Sequence, residues 1–449
     1  MFLSRLTAAA AGLSLLALTG CSWFGLGGDD TPAAPGVAGY VVGDEPLAVQ
    51  AGSSILSQGG SAADAVTAMY FALSATYPVA AGLGGGGLCV VRDPASQRTQ
   101  VITFLSRDSA AGGAFGVPGN VRGFAVVHQA FGRLPWQRDV SPGEGYAATG
   151  FPISQALEAR LRASQNAIRL DANLSAEFLT ETGAVKPAGT TVSNPDLAAT
   201  LTTIRIFGPN GLYTGAVASK LVAYSATQGG AFKLAEIEGY PVAREAPQEV
   251  TIGGQTIYLP PRQTGSGAYV AALLSRVIDA QGQASAASIA TATKTTLDEF
   301  HIQSLPRDLG ATGFAASDNT GQAAACAVTL NGAFGSGHTA AGTGVVLARS
   351  PSDKEAGLSG AFLTPAIAVS GDMTSLIGVG SGGPNGTAAI IYALLNVAAG
   401  QDITLPGHLH STGLAPFNTV NVIACQSGGC TALPDPAAQG LGAVAEPSP

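Results

Sequence analysis

The sequence predicts an α+β fold of stacked sheets and helices, on three observations. The chain has 449 residues, of which 46% are hydrophobic and only 11% charged, so it can bury a large core and is too apolar to be disordered. Its 61 glycines suit tightly packed layers joined by many turns. Segments with helical periodicity also alternate with paired strand-like segments along its length.

Taken in order, the pattern predicts a helix over Pro46–Ser57, ended by Gly59-Gly60. Ser61, with Asp64 three residues later, can cap a second helix running to about Ser74, before Pro78 stops it. Leu88–Arg92 and Val101–Leu105 read as a strand pair. Arg122–Phe131 and Ile153–Gln165 read as helices, Leu197–Phe207 and Gly215–Thr227 as a helical pair, and Gln255–Leu259 as a strand. Thr180–Val192, with Gly, Pro and Thr, is the expected exposed loop of the first half. Leu363–Val369 and Ala388–Ala399 are apolar but too short to span a membrane, and read as sheet or core helix. No internal repeat is visible.

Residues 308–337 form the segment with chemical potential. Gly313–Ser317 is small and strand-compatible, Asp318-Asn319-Thr320-Gly321 supplies a turn, and Gln322–Leu330 returns as a second strand. Thr312 thus heads the first strand while Thr329 and Asn331 end the second, so a hairpin brings them together. A threonine hydroxyl is a weak nucleophile. If the bond before it is cut, its own freed α-amine can serve as the base.

This segment resembles the start of the small subunit in the γ-glutamyltransferase family, whose members are N-terminal-nucleophile hydrolases. There the hairpin reads Thr-Thr-His, apolar residues, Asp, a turn with Gly, then Thr-Leu-Asn and Phe-Gly. Asp318, Gly321, Thr329-Leu330-Asn331 and Phe334-Gly335 keep that spacing. Counting back from Asp318, the family's first threonine falls on Ala311 and its second on Thr312. The resemblance continues through Gly59-Gly60-Ser61-Ala62-Ala63-Asp64-Ala65, the Gly82–Gly87 run, Phe131-Gly132-Arg133-Leu134-Pro135-Trp136 and Asn194-Pro195-Asp196, all in the family's order. It implies one four-layer αββα domain over 39–449, large-subunit-like over 39–311 and small-subunit-like over 312–449, and a processed heterodimer of the chain's own two fragments if it is cleaved. The family's nucleophile is its first threonine, which falls on Ala311; the threonine present at the head of the hairpin, Thr312, is the expected nucleophile here, with Thr329 and Asn331 positioning it.

For the rest of the pocket, the resemblance assigns Gly382 and Gly383, within Gly380–Gly386, to an oxyanion hole. Glycines let amides approach a developing oxyanion, and Pro384 offers no N–H. Arg107 ends an apolar strand, where a guanidinium needs a carboxylate partner. A bidentate fork suits the α-carboxylate of an amino acid, and a structural pair with Asp108 or another acid is the alternative. Of the family's Asn-Asn and acidic stretch after the second strand, Asp353 is the one candidate acid left to contact substrate. The family's paired serines before its Met-Thr-Pro are replaced by Ala361-Phe362 before Leu363-Thr364-Pro365.

The N-terminus predicts an address. Met1–Arg5 carries positive charge, Leu6–Leu18 is a short apolar run, and Leu18-Thr19-Gly20-Cys21 resembles a bacterial lipoprotein cleavage box. Residues 1–20 are then a signal peptide, Cys21 a lipid anchor and 21–38 a flexible tether. Ser22 after the cysteine suggests the outer membrane of a bacterial envelope. An ordinary signal peptide or a buried helix are the alternatives.

Charge and cysteines narrow the function classes. Losing residues 1–20 removes Arg5 and leaves 20 basic against 29 acidic residues, a net of −9, which argues against nucleic acid as a partner. Cys425 and Cys430 are close enough for a local disulfide, whereas Cys89 and Cys326 sit in apolar runs and read as inert core residues. Gly82–Gly87 fits G-x-G-x-x-G, but a helix precedes it and a strand follows, the reverse of a dinucleotide site. His408-Leu409-His410 lacks a third ligand at suitable spacing, so neither metal nor cofactor is expected. The expectation is an enzyme that cleaves small γ-glutamyl amides or peptides through a threonine acyl-enzyme. The rivals are an inactive lipoprotein of the same fold that binds an amino acid or peptide, and an amidase for another acyl group.

Overall fold

Alternation of small apolar residues along the strands decides the architecture, because both faces of each sheet have to be covered. The computed structural model describes residues 36–278, 285–354, 358–401, 403, 414–426 and 429–448. Cys21 with its signal peptide, most of the tether, and His408 and His410 lie outside these. The strands of the two large sheets are β1 (Gly39–Gly43), β2 (Gly86–Asp93), β3 (Arg98–Phe104), β4 (Ala243–Glu245), β5 (Gln248–Ile252), β6 (Gln255–Leu259), β7 (Ala311–Asp318), β8 (Ala323–Thr329), β9 (Thr364–Ser370), β10 (Met373–Ser381), β11 (Thr419–Gln426), β12 (Gly429–Leu433) and β13 (Leu441–Ala445). They form a seven-stranded sheet in the order β13-β1-β7-β8-β2-β3-β4 and a six-stranded sheet in the order β12-β11-β10-β9-β6-β5. Every pairing within them is antiparallel.

The helices that matter for the site are α1 (Pro46–Ser57), α2 (Ala62–Thr76), α3 (Asn120–Phe131), α4 (Trp136–Thr149), α5 (Gln155–Ala163), α6 (Gly267–Ile278), α7 (Ala286–Glu299) and α8 (Pro384–Ala398). Three cores separate four layers. Phe314, Ala316, Cys326 and Val328 of the first sheet pack with α2 and α3. Ala311, Ala315, Ala325 and Ala327, on the opposite face of the same strands, meet Ile377 and Val379 of the second sheet. Ala366, Ala368 and Leu376 then pack with α6, α7 and α8. This is the αββα sandwich that the resemblance implied.

Local signals account for most element ends. The Ser61 backbone N–H and hydroxyl both donate to Asp64 Oδ2, at 2.8 and 2.9 Å, and Ser61 Oγ accepts from the Asp64 N–H, which closes the capping box at the start of α2. Helix α4 was not legible: Pro142 lies inside it, and Gly143 is there because α2 runs so close that a Cβ would come 2.2 Å from Phe71 O. Ile153–Gln165 is shorter than predicted, since α5 breaks at Ser164 before a four-residue turn of helix.

Cys89 and Cys326, read from sequence as inert core thiols, are joined in a disulfide, as are Cys425 and Cys430. Register explains the first correction: Cys89 of β2 lies directly opposite Cys326 of β8, a pairing invisible across 237 residues of sequence. Replacing both with alanine is expected to cost about 2–5 kcal/mol, because a long loop in the unfolded chain is released. Urea denaturation with a thiol count before and after reduction checks this, and an unchanged midpoint would show the bridge to be energetically idle.

Candidate active site

Residues from several segments meet where β7 begins. The β7–β8 register is regular, with Ala311 opposite Thr329 and Thr312 opposite Val328. Thr312 therefore takes the face opposite to Ala311 rather than the place beside Thr329, because strand side chains alternate and nothing shortens the chain at the hairpin head. Thr329 Oγ1 instead donates towards the carbonyls of Leu309 and Gly310, at 3.1 and 2.9 Å, and accepts from Asn331 N–H. Asn331, at φ +60°, donates through Nδ2 to Ser106 Oγ and to the Arg349 carbonyl, both at 2.9 Å. The two residues expected to position Thr312 thus hold the preceding turn and the neighbouring loop.

The partner of Thr312 is Asp44, in the bend after β1. The Thr312 hydroxyl is fully buried and donates to Asp44 Oδ2 at 2.7 Å. Asp44 also accepts from Thr419 Oγ1 at 3.1 Å and from Asn421 Nδ2 at 2.7 Å, so three donors satisfy a carboxylate that is 1% exposed. Asn421 Nδ2 reaches the Gly313 carbonyl as well, at 3.0 Å, which ties β11 to β7.

On the other side of the same peptide stands Arg160 of α5. Its Nη1 donates to the Ala311 carbonyl at 3.1 Å, and its Nε and Nη2 grip both oxygens of Asp308, with Nε to Oδ2 at 2.8 Å. Burial alone would weaken this guanidinium's hold on its proton, but the Asp308 carboxylate more than offsets that and holds it above its ordinary value. The rings of Tyr77 and Phe417 lie 5.2 and 5.9 Å from the guanidinium carbon. The Ala311–Thr312 peptide is therefore flanked by a carboxylate at the hydroxyl and a cation at the carbonyl.

Gly382 and Gly383 join this end through Ser381, whose Oγ lies 3.1 Å from Thr419 Oγ1. Gly382 has φ +78°, and a Cβ there would come 2.4 Å from Phe417 O, so only glycine fits the turn into α8. Gly383 caps α8 and Pro384 begins it. The glycines are thus in the site's neighbourhood, at the start of a 15-residue helix whose dipole favours negative charge.

Arg107 and Asp353 lie a step away. Arg107 is exposed, with its guanidinium 5.6 Å from the centre of the Tyr240 ring, and among the described residues it makes no ion pair. The chain leaves the sheet after Phe104, which removes the burial that the sequence argument assumed. Asp108 is taken by the Ser350 hydroxyl and the Ser352 N–H, so it is not the structural partner of Arg107. Asp353 lines an open cleft of about 360 Å³ with Phe115, His338, Arg349 and Ser350. Asn331 connects that cleft to the hairpin through the Arg349 carbonyl.

Asp44, Arg160, Asp308 and Asn421 were missed in the sequence. The one available signal was scarcity: in a chain so poor in charge, acids at a strand end and at the foot of the hairpin are conspicuous.

Comparison with known proteins shows the family and the fold. The family model described as gamma-glutamyltranspeptidase matches residues 48–293, ending before the hairpin. Glutathione hydrolase 2 of Arabidopsis thaliana is 32% identical over 249 residues, covering 51% of this chain and 42% of that protein. The glutathione hydrolase proenzyme of Pseudomonas aeruginosa is 33% identical over 257 residues, covering 53% and 45%. The chain spans about half the length of these curated relatives. The cephalosporin acylase of Bacillus halodurans shares the fold over 92% of this chain and 96% of its own, with a TM-score of 0.74 at 17% identity. The gamma-glutamyltranspeptidase of Helicobacter pylori shares it over 57% and 80%, with a TM-score of 0.51 at 23% identity.

Proposed function

The chain belongs to the gamma-glutamyltranspeptidase family, and from that premise we propose that it is an N-terminal-nucleophile amidase that cuts itself before Thr312 and then cleaves γ-glutamyl amides. The observation that carries this reading is the flanking of one peptide bond by Asp44 and Arg160. Thr312 Oγ1 attacks the Ala311 carbonyl carbon while its proton passes to Asp44, and Arg160 stabilises the oxyanion. Collapse breaks the C–N bond, and the leaving nitrogen takes the proton back from Asp44. That collapse frees the Thr312 α-amine and leaves an ester between Ala311 and the Thr312 oxygen, which water hydrolyses to the Ala311 carboxylate and the Thr312 hydroxyl. That amine is then the base for the next attack, on substrate, with the Gly382-Gly383 turn facing the developing charge.

Arg107, exposed and without an ion pair among the described residues, is available to a substrate carboxylate at the rim. Arg107→Ala is expected to weaken glutamate binding by about 1.5–3 kcal/mol, the scale of a charge-assisted hydrogen bond, with no loss of thermal stability. Equal calorimetric affinities in the two proteins would remove Arg107 from the site.

The second reading is a binding protein of the same fold, favoured by Ala311 standing where counting back from Asp318 places the family's first threonine. Mass spectrometry of the purified protein and turnover of a γ-glutamyl anilide separate the two. A single intact chain with no turnover would leave the binding reading standing.

We also place the protein in a bacterial envelope, held by lipid on Cys21. Two disulfides support an oxidising compartment. The wild-type chain should take up labelled fatty acid and partition into detergent, and Cys21→Ala should do neither. Unlabelled wild-type protein in the soluble fraction would count against the anchor.

A further inference from the structure

We infer that Asp64, His128 and Asp139, together with the Leu134 carbonyl, bind a divalent first-row cation. These groups come from α2, α3, α4 and the loop between the last two. His128 Nε2 lies 3.8 Å from Asp64 Oδ1, 3.8 Å from Asp139 Oδ2 and 2.8 Å from Leu134 O. One ligand atom from each of the three side chains falls within 4.8 Å of the others. Ligands held about 2.1 Å from one ion stand roughly 3–4 Å apart, so a modest inward movement completes the shell.

Unsatisfied atoms point to the ion independently of the cluster. The side chains of Asp64 and Asp139 are 0% exposed, and Asp64 Oδ1 and both Asp139 oxygens have no hydrogen-bond partner. Asp64 Oδ2, by contrast, accepts from the N–H groups of Ser61, Arg133 and Leu134, which fixes the carboxylate so that Oδ1 faces His128. Two buried acids side by side are costly unless something positive lies between them. Gly132 has an ordinary φ of −73°, so its identity is a matter of room: a Cβ would come 2.4 Å from Asp64 Oδ1.

Imidazole with carboxylate and carbonyl oxygens suits Zn²⁺ or Mn²⁺. Arg133, next to this loop, reaches Asp318 at 3.2 Å, so the ion would clasp three helix ends to the turn of the β7–β8 hairpin, at the far end of β7 from Thr312. The site is structural and independent of self-cleavage.

The test uses untagged, full-length protein dialysed against EDTA and titrated calorimetrically with zinc or manganese chloride, with thermal melts and elemental analysis alongside. One ion per chain and a Tm raised by several degrees are expected in the wild type. Asp139→Asn and His128→Gln should each bind at least about tenfold more weakly and lose the Tm shift. If neither metal produces heat or a Tm shift, His128 Nε2–H simply donates to Leu134 O and the proposal is overturned. Wild-type affinity in both variants would overturn it equally, as an adventitious ion bound elsewhere.

Discussion

Thr312→Ala is expected to remain a single chain, whereas the wild-type protein resolves under denaturing conditions into two fragments, the smaller spanning 312–449 with threonine at its N-terminus. The effect is all or none because the variant lacks the attacking oxygen. Asp44→Asn keeps the size and most hydrogen bonds of the carboxylate but not its basicity, so cleavage should slow by roughly 10²–10⁴-fold, the usual share of a positioned general base. Thr312→Ser retains the hydroxyl and should still cut. A Thr312→Ala protein that matures like the wild type would place the scissile bond elsewhere. An uncut wild type after prolonged incubation would instead mean that the Thr312–Asp44 pair is only a buried structural contact.

The second large effect concerns Asp308. Asp308→Ala leaves the Arg160 guanidinium, whose side chain is 5% exposed, without its counter-ion, and should destabilise the fold by about 3–5 kcal/mol. It also removes the acceptor of the Gly310 N–H, at 2.8 Å, so the turn before Ala311 loosens and self-cleavage should fail even in the fraction that folds. Replacing both partners, as Arg160→Met with Asp308→Leu, should recover much of the stability but none of the cleavage, since the oxyanion then lacks its cation. Urea denaturation with an unchanged slope, read beside the fragment pattern, separates the two consequences. Full cleavage in the stable double variant would exclude Arg160 from the chemistry.

Much of the fold was legible because its signals are local. Ser61 and Asp64 marked the start of α2, Pro46 and Gly59 bounded α1, and the turn Asp318–Gly321 announced the β7–β8 hairpin. Helix α4 was not, since its proline and its glycines read as a loop until α2 is packed against it. The cysteines divided in the same way. Cys425 and Cys430 share one hairpin, while Cys89 and Cys326 become neighbours only through the order of strands.

By itself the sequence determined the αββα class, the hairpin, the family and the position of a threonine at its head, because periodicity, turn residues and motif order are properties of neighbours along the chain. Tertiary structure alone decided what that threonine touches. The two-residue repeat of a strand sends Ala311 and Thr312 to opposite faces, and the pairing of β7 between β1 and β8 sets which groups await them there. Asp44 lies 268 residues from Thr312, and Arg160 lies 151 from Ala311. Asp64, His128 and Asp139 likewise belong to three helices, and only the packing of those helices brings their potential ligand atoms to a common point.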